Sequence, residues 1–269
     1  MPELPEVETT KNGLAPHIVG KRITAVNIYQ PQLRWPVAEE ATTLVGLVSS
    51  DIERRAKYML WHFSTGSLVM HLGMSGTMRV VSAQSALKKH DHFEVVFDDR
   101  TALRFNDPRR FGAILWQPKG ETLKVLSQLG PEPLSDDFDG QYLHQALTKR
   151  KGAIKNAVMD NKVVVGVGNI YASESLFMSG IHPKRAANKV SLARCKLLAG
   201  FIKTVLEKAI GEGGTTLKDF TQTDGSPGYF AQQLNVYGRA DLPCNQCGAI
   251  IKKQVIGQRS SFYCPKCQR

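Results

Sequence analysis

Four cysteines near the C-terminus constrain the fold more than any other stretch. They stand as Cys244-x-x-Cys247 and, after sixteen residues, Cys264-x-x-Cys267. Two close thiolate pairs at this spacing meet the requirement of a tetrahedral structural zinc site, each pair coming from a turn and the chain between them forming a β-hairpin. Rubredoxin-like iron and disulfides are the alternatives; four thiolates select zinc or iron, and an intracellular setting disfavours disulfides. The segment is too short to have its own core, so metal binding supplies its folding free energy. Its hairpin tip reads as Gln258-Arg259-Ser260-Ser261, with Arg259 either held out on a rigid support or merely exposed on a basic ribbon. The fifth cysteine, Cys195, shares a helical stripe with Leu198, Ala199, Ile202, Val205, Leu206 and Ala209 and reads as a core thiol.

The 269 residues are enough for two ordinary domains. The net charge of +11 is unevenly placed, since residues 1–140 carry 16 Lys/Arg against 17 Asp/Glu and residues 141–269 carry 19 against 7. A basic half of this kind attracts phosphates through counterion release, although basic surfaces also occur on proteins that bind nothing acidic. No run approaches the roughly eighteen apolar residues that would span a bilayer. The first thirty residues, carrying Glu3, Glu6 and Glu8, do not resemble a signal peptide. The expectation is a soluble, cytoplasmic protein that does not bind membranes.

Taken in order, residues 3–14 read as a short helix with Pro5 in its first turn and Gly13 at its end, docked through Leu4, Val7 and Leu14 with Glu6 and Glu8 facing water. From Lys21 to Trp116, β-branched and aromatic runs alternate with turns: 23–29, 58–63, 67–72, 77–81, 92–97, 101–105 and 113–116. Strands so spaced predict a sandwich or barrel. Three of its interruptions carry cations or apolar tips: Arg54-Arg55-Ala56-Lys57-Tyr58, Gly73-Met74-Ser75-Gly76 and Asn106-Asp107-Pro108-Arg109-Arg110-Phe111-Gly112. Apolar wedges beside an arginine suit entry into a duplex and filling of the space left by an extruded base, or they fold back onto the core. Lys88-Lys89-His90-Asp91-His92 is another basic turn, suited to phosphate contact or to solvation.

Residues 117–137, rich in Pro and Gly, read as a linker. Helical patterns follow at 142–149, 153–159, 170–178 and 192–210. Val165-Gly166-Val167-Gly168-Asn169-Ile170-Tyr171 lacks the third glycine of a dinucleotide fingerprint, so no nucleotide cofactor is expected. A glycine-rich turn opening a helix offers N–H groups and an Asn side chain to phosphate, and also suits a tight interhelical turn. The glycine-rich stretch 211–230, with Lys218, reads as a mobile loop that covers a ligand or merely connects.

The start, Met1-Pro2-Glu3, carries the most unusual chemistry. A small second residue lets the initiator methionine be trimmed, leaving a secondary amine beside a carboxylate. Its adduct with a sugar C1′ is a cationic iminium, an electron sink suited to elimination. Most chains that begin Met-Pro use the proline for nothing of the kind. Retention of Met1 would make the nitrogen a tertiary amide and abolish the chemistry.

These pieces together resemble one family over essentially the whole chain, the formamidopyrimidine-DNA glycosylases of bacterial oxidised-purine repair. The resemblance rests on residues 2–8, 54–58, 71–76, 107–112 and 166–171 and on the four-cysteine ribbon around Arg259. It implies an α+β multidomain fold: an N-terminal helix plus β-sandwich (1–125), a linker (126–137), a helical helix-two-turns-helix domain (138–234) and a zinc β-ribbon (235–269). It implies a glycosylase that is also an abasic-site lyase, working as a monomer on damaged double-stranded DNA with one structural zinc. Pro2 would attack C1′ and Glu3 would move protons at the opening sugar. Lys57 and Arg259 would face the flanking phosphate, and His90, Arg109, Arg150, Lys155 and Asn169 would hold the backbone. Met74, Arg109 and Phe111 would fill the void, Lys218 would lie in the loop over the flipped base, and Cys244, Cys247, Cys264 and Cys267 would bind the metal. The sibling endonuclease VIII type, which acts on oxidised pyrimidines, shares Pro2 and Glu3; the Met74, Arg109 and Phe111 set favours the purine branch.

Overall fold

A computed structural model of the chain describes residues 2–214 and 234–269. They form two compact units, one reaching Ser127 and including Gly213 and Gly214, the other comprising Gln128–Glu212 and residues 234–269.

The first unit opens with helix α1, Leu4–Ile18. It does not stop at Gly13. A mid-helix glycine costs about 1 kcal/mol, but Leu14 and Ile18 are fully buried in the sandwich core, and their burial outweighs that penalty. Eight strands follow: β1 (Ile23–Ile28), β2 (Asp51–Arg55), β3 (Tyr58–Phe63), β4 (Gly66–His71), β5 (Thr77–Ser82), β6 (Asp91–Phe97), β7 (Thr101–Asn106) and β8 (Ala113–Pro118). They pair antiparallel into two four-stranded sheets, ordered β1-β6-β7-β5 and β2-β3-β4-β8. Met59, Trp61 and Phe63 alternate inward from one sheet, and Phe93, Val95 and Phe97 from the other, into one apolar cluster. Strand β2 was not expected from the sequence. Asp-Ile-Glu-Arg-Arg holds one buried apolar residue, Ile52, because it is an edge strand whose other side chains are charged.

The second unit is helical, then ribbon. Helix α2 (Lys124–Ser127), the last element of the first unit, lies inside the stretch read as a linker, with Leu126 buried. Beyond it run α3 (Gly140–Leu147), α4 (Ile154–Val158), α5 (Asn169–Met178) and α6 (Leu192–Gly211). Asp139 and Ser191 cap α3 and α6 by accepting the N–H groups of Tyr142 and Arg194. Cys195 and the stripe it belongs to are all buried along α6. Strands β9 (Lys252–Ile256) and β10 (Arg259–Tyr263) form the ribbon. Its tip is Gly257-Gln258, both left-handed, so Arg259 is the first residue of β10 and not a tip residue. Among the described residues no helix is long and apolar enough to cross a membrane.

Candidate active site and nucleic-acid interface

The N-terminal end of α1 is closed by a capping box. Glu3 is the N-cap, and its N–H donates to Glu6 Oε2 at 2.8 Å. Pro2, Glu3 and Glu6 are all buried, so Glu6 does not face water as the sequence suggested. Glu8 is half-buried and takes 2.6 Å and 2.7 Å contacts from Arg54 Nε and Lys11 Nζ. Burial opposes its charge, yet hydrogen bonds from Lys11 and Arg54 prevail and hold the carboxyl below its ordinary pKa. Arg54 also donates through Nη1 to Ala56 O at 3.1 Å. One arginine thus joins α1, which begins at the candidate nucleophile, to the two-residue turn that carries Lys57.

Just after that turn, Tyr58 packs against its cross-strand partner His71, with ring centroids 4.8 Å apart and the planes tilted by 55°. Burial, with Lys57 and then Arg34, lowers the His71 pKa to about 4. His71 Nδ1 accepts the Gly73 N–H at 2.9 Å, which leaves the proton of the neutral ring on Nε2.

Gly73 begins the turn that presents Met74. Its φ is +65°, and a Cβ there would stand 2.4 Å from Gly112 N and from Phe111 C, so only glycine lets the two loops touch. The buried carboxylate of Asp107 fastens them. It accepts Ser75 Oγ at 2.7 Å from the first loop, and Arg109 N at 3.3 Å and Gly112 N at 2.7 Å from the second. Met74 is half-buried, Phe111 is 44% exposed, and Arg109 lies over the Phe111 ring at 5.1 Å. The structure therefore brings these three onto two touching loops that share the Asp107 carboxylate. An Asp before Pro that accepts the N–H two residues on, as Asp107 does from Arg109, is a turn signal readable in the sequence.

His90 is half-buried and left-handed, φ +73°. It ends the basic turn before β6.

In the second unit, Lys155 is buried rather than displayed. Its ammonium donates to Asn169 Oδ1 at 2.5 Å, Ser261 Oγ at 2.7 Å and Ser260 O at 3.1 Å, and Asn169 Nδ2 also donates to Ser260 O at 3.0 Å. Lys155 and Asn169 so clamp the ribbon strand whose first residue is the exposed Arg259. Arg150 is engaged by Asp160 at 2.8 Å, with both side chains about one-third exposed (37% and 34%). Glu174, which the sequence left unremarked, is buried in α5 and accepts the N–H groups of Asn235, Val236 and Tyr237 and the Asn235 amide. It anchors the chain that leads into the ribbon. Lys218 lies outside the described residues.

The ribbon's four thiols converge. Their sulfurs all lie within 4.8 Å of one another, with Cys247–Cys264 at 3.5 Å and Cys244–Cys267 at 4.0 Å. A tetrahedron with Zn–S of about 2.3 Å needs sulfurs about 3.8 Å apart, so the set fits zinc. Each pair sits on a short turn, closed by Gly248 N–H to Cys244 O at 2.9 Å and Gln268 N–H to Cys264 O at 3.1 Å. Buried Gln268 also accepts Cys264 N–H and donates to Ile181 O, both at 2.9 Å, tying the metal turn to the helices.

Comparison with known proteins places these features together. Residues 1–114 match the formamidopyrimidine-DNA glycosylase N-terminal domain, residues 129–221 its H2TH domain, and residues 241–269 the zinc finger found in FPG and IleRS. The four-cysteine ribbon thus holds one structural zinc. A formamidopyrimidine-DNA glycosylase from Alcanivorax borkumensis is 57% identical over all 269 residues, the full length of both chains, and one from Escherichia coli strain 55989 is 55% identical over the same span. Among solved structures, a Lactococcus lactis FPG variant in complex with Fapy-dG-containing DNA superposes with a TM-score of 0.92 at 32% identity, covering all of both chains. The MutM (FPG) protein of Thermus thermophilus gives 0.90 at 35% identity, covering 99% of this chain and 98% of that one. From its terminal helix to its zinc ribbon, this chain belongs to the formamidopyrimidine-DNA glycosylase family.

Proposed function

We propose that the protein is a bifunctional DNA glycosylase and abasic-site lyase that removes oxidised purines, 8-oxoguanine and formamidopyrimidines, from double-stranded DNA. The observation that carries this reading is the buried Pro2-Glu3 pair at the capped start of α1, in a chain whose relatives include proteins solved with damaged DNA. A carboxylate beside a secondary amine is the minimum needed to move a proton while a C–N bond forms. After removal of Met1, the Pro2 nitrogen attacks C1′ and the base departs. Glu3 delivers a proton to the opening sugar oxygen. The resulting iminium acidifies the C2′ proton, so loss of that proton expels the 3′ phosphate and a second elimination expels the 5′ phosphate. Lys57 and Arg259 stabilise the phosphate oxygens by charge. His90, Arg109, Arg150 and Asn169 hold the backbone, with Lys155 beneath Asn169. Met74, Arg109 and Phe111 enter the stack where the base has left, and this set favours purine lesions over the pyrimidine lesions of the sibling branch.

Borohydride trapping with a duplex containing 8-oxoguanine opposite cytosine tests the chemistry. Untagged, methionine-trimmed protein should give a covalent complex, and Pro2→Gly should reduce both trapping and base release at least a hundredfold. Trapping that survives Pro2→Gly moves the nucleophile elsewhere. No trapped complex with this duplex or with an abasic one leaves only a zinc-ribbon DNA-binding protein.

A further inference from the structure

We propose that Asn106 and Asp91 are positioning residues for DNA binding, side chains that do not meet the nucleic acid but set the shape of the Lys88-Lys89-His90 turn through which the sandwich grips backbone phosphate. The inference rests on the DNA reading above.

The turn is held from beneath at every residue. The Asp91 side chain is fully buried; its Oδ2 accepts the Lys88 N–H at 2.8 Å and pairs with Arg79 Nη2, while its Oδ1 accepts Asn106 Nδ2 at 2.8 Å. The same Asn106 amide donates its second hydrogen to Lys89 O at 2.9 Å. Lys88 O takes the Asp91 N–H, and His90 O takes the Asp107 N–H, each at 3.1 Å. Just upstream, the buried guanidinium of Arg104 donates to Ser85 O at 2.8 Å and Ala86 O at 3.1 Å.

Two features make this more than a strand end. His90 stands in the left-handed region, which residues with a Cβ adopt uncommonly, and the hydrogen bonds to Lys88, Lys89 and His90 hold it there. Yet the side chains of Lys88 and Lys89 stay exposed, so what is ordered is the backbone from which two ammonium groups and an imidazole project. Solvated lysines on an ordinary loop need no such frame. Cations that must meet phosphates at fixed spacing gain from one, because the ordering is done before binding.

The test uses the full, zinc-loaded chain and a duplex carrying a tetrahydrofuran abasic-site analogue, with the dissociation constant measured from 50 to 300 mM salt. Asn106→Ala should weaken binding about five- to tenfold and flatten the log–log salt slope by about one to two, as each lost phosphate contact removes about 0.9. In a Lys88→Ala/Lys89→Ala background the same change should add less than twofold, since the cations it positions are gone. Weaker binding with an unchanged slope, or effects that multiply fully in the triple variant, overturns the proposal. Asn106→Ser, which keeps one donor, should fall between and carries the same test if the alanine variant does not fold. Wild-type protein that binds this duplex without salt dependence sinks the DNA reading itself, a result distinct from a failure of the positioning role.

Discussion

The β-sandwich and the zinc ribbon both hold cations out toward solvent, but by opposite means. In the sandwich, an apolar core fed by two sheets and α1 carries the load, and buried carboxylates then fix the loops: Asp107 under Met74 and Phe111, Asp91 under His90. The ribbon has two five-residue strands, with Val255 73% exposed, and a small cluster in which two of the buried members are themselves metal ligands, Cys244 and Cys264. Where the core is thin, a metal and a few long side chains replace it. The two regions should therefore fail differently.

Metal loss is the most severe way to separate them. Cys244→Ser should lose zinc, and with it a binding free energy that in zinc-finger peptides is about 10–16 kcal/mol. Hydrogen exchange on the variant should find β9 and β10 amides unprotected while β3, β4, β6 and β7 keep wild-type protection. DNA affinity should fall with the metal. A ribbon that stays protected without zinc would mean that Lys155, Gln268 and the Phe262 cluster suffice, and the contrast would collapse.

The corresponding lesion in the sandwich is smaller. Asp107→Asn places an amide donor where Oδ1 or Oδ2 accepted N–H and O–H groups, leaving at least one buried donor unmatched. That costs about 1–3 kcal/mol per unmet group. Thermal unfolding should reveal the loss, the core strands should stay ordered, and exchange should rise at Ser75, Arg109 and Gly112 together. Release of one loop without the other would show that Asp107 does not couple the two loops.

How much of this was legible in the sequence follows the same divide. The ribbon could be read because its ligands lie within a few residues of each other and spacing alone encodes the geometry. The paired strands β3 and β4 were readable from their apolar content, and the Cys195 stripe from its helical period. What escaped were polar side chains whose partners are distant along the chain. Glu8 meets Arg54 46 residues away, and Ser75 meets Asp107 at a separation of 32. Lys155 reaches Ser260 and Ser261 across 105 and 106 residues, a closure onto the ribbon that the sequence does not signal. Local pattern carries no information about such closures. The end assigned to α1 at Gly13 failed for a related reason: propensity marked a stop, and tertiary burial of Leu14 and Ile18 overrode it.

The mildest probe of the contrast is pH, because acid attacks both regions through different groups. In the ribbon, protons compete with zinc for thiolates. In the sandwich the carboxyls of Glu8, Asp91 and Glu94, held below their ordinary pKa, yield at the acid end, and the group that responds from 6.5 downward is His71, whose pKa falls from 6.5 to about 4 through burial and then the charges of Lys57 and Arg34. Its folded form refuses a proton that the unfolded chain accepts, so between these two values the unfolded state binds more protons and stability rises with pH. The contribution is fully present above about 6.5 and is lost as pH drops toward 4. Asn at this position keeps an oxygen near Nδ1 to accept the Gly73 N–H but cannot titrate. His71→Asn should flatten the dependence of sandwich stability on pH between 4 and 6.5 while leaving the pH of zinc release where it was. An NMR titration of the His71 ring checks the premise directly, with a midpoint near 4 and the neutral ring protonated at Nε2. A midpoint near 6.5 would mean that water reaches the ring freely, and that the buried frame around Lys57 is looser than its hydrogen bonds imply.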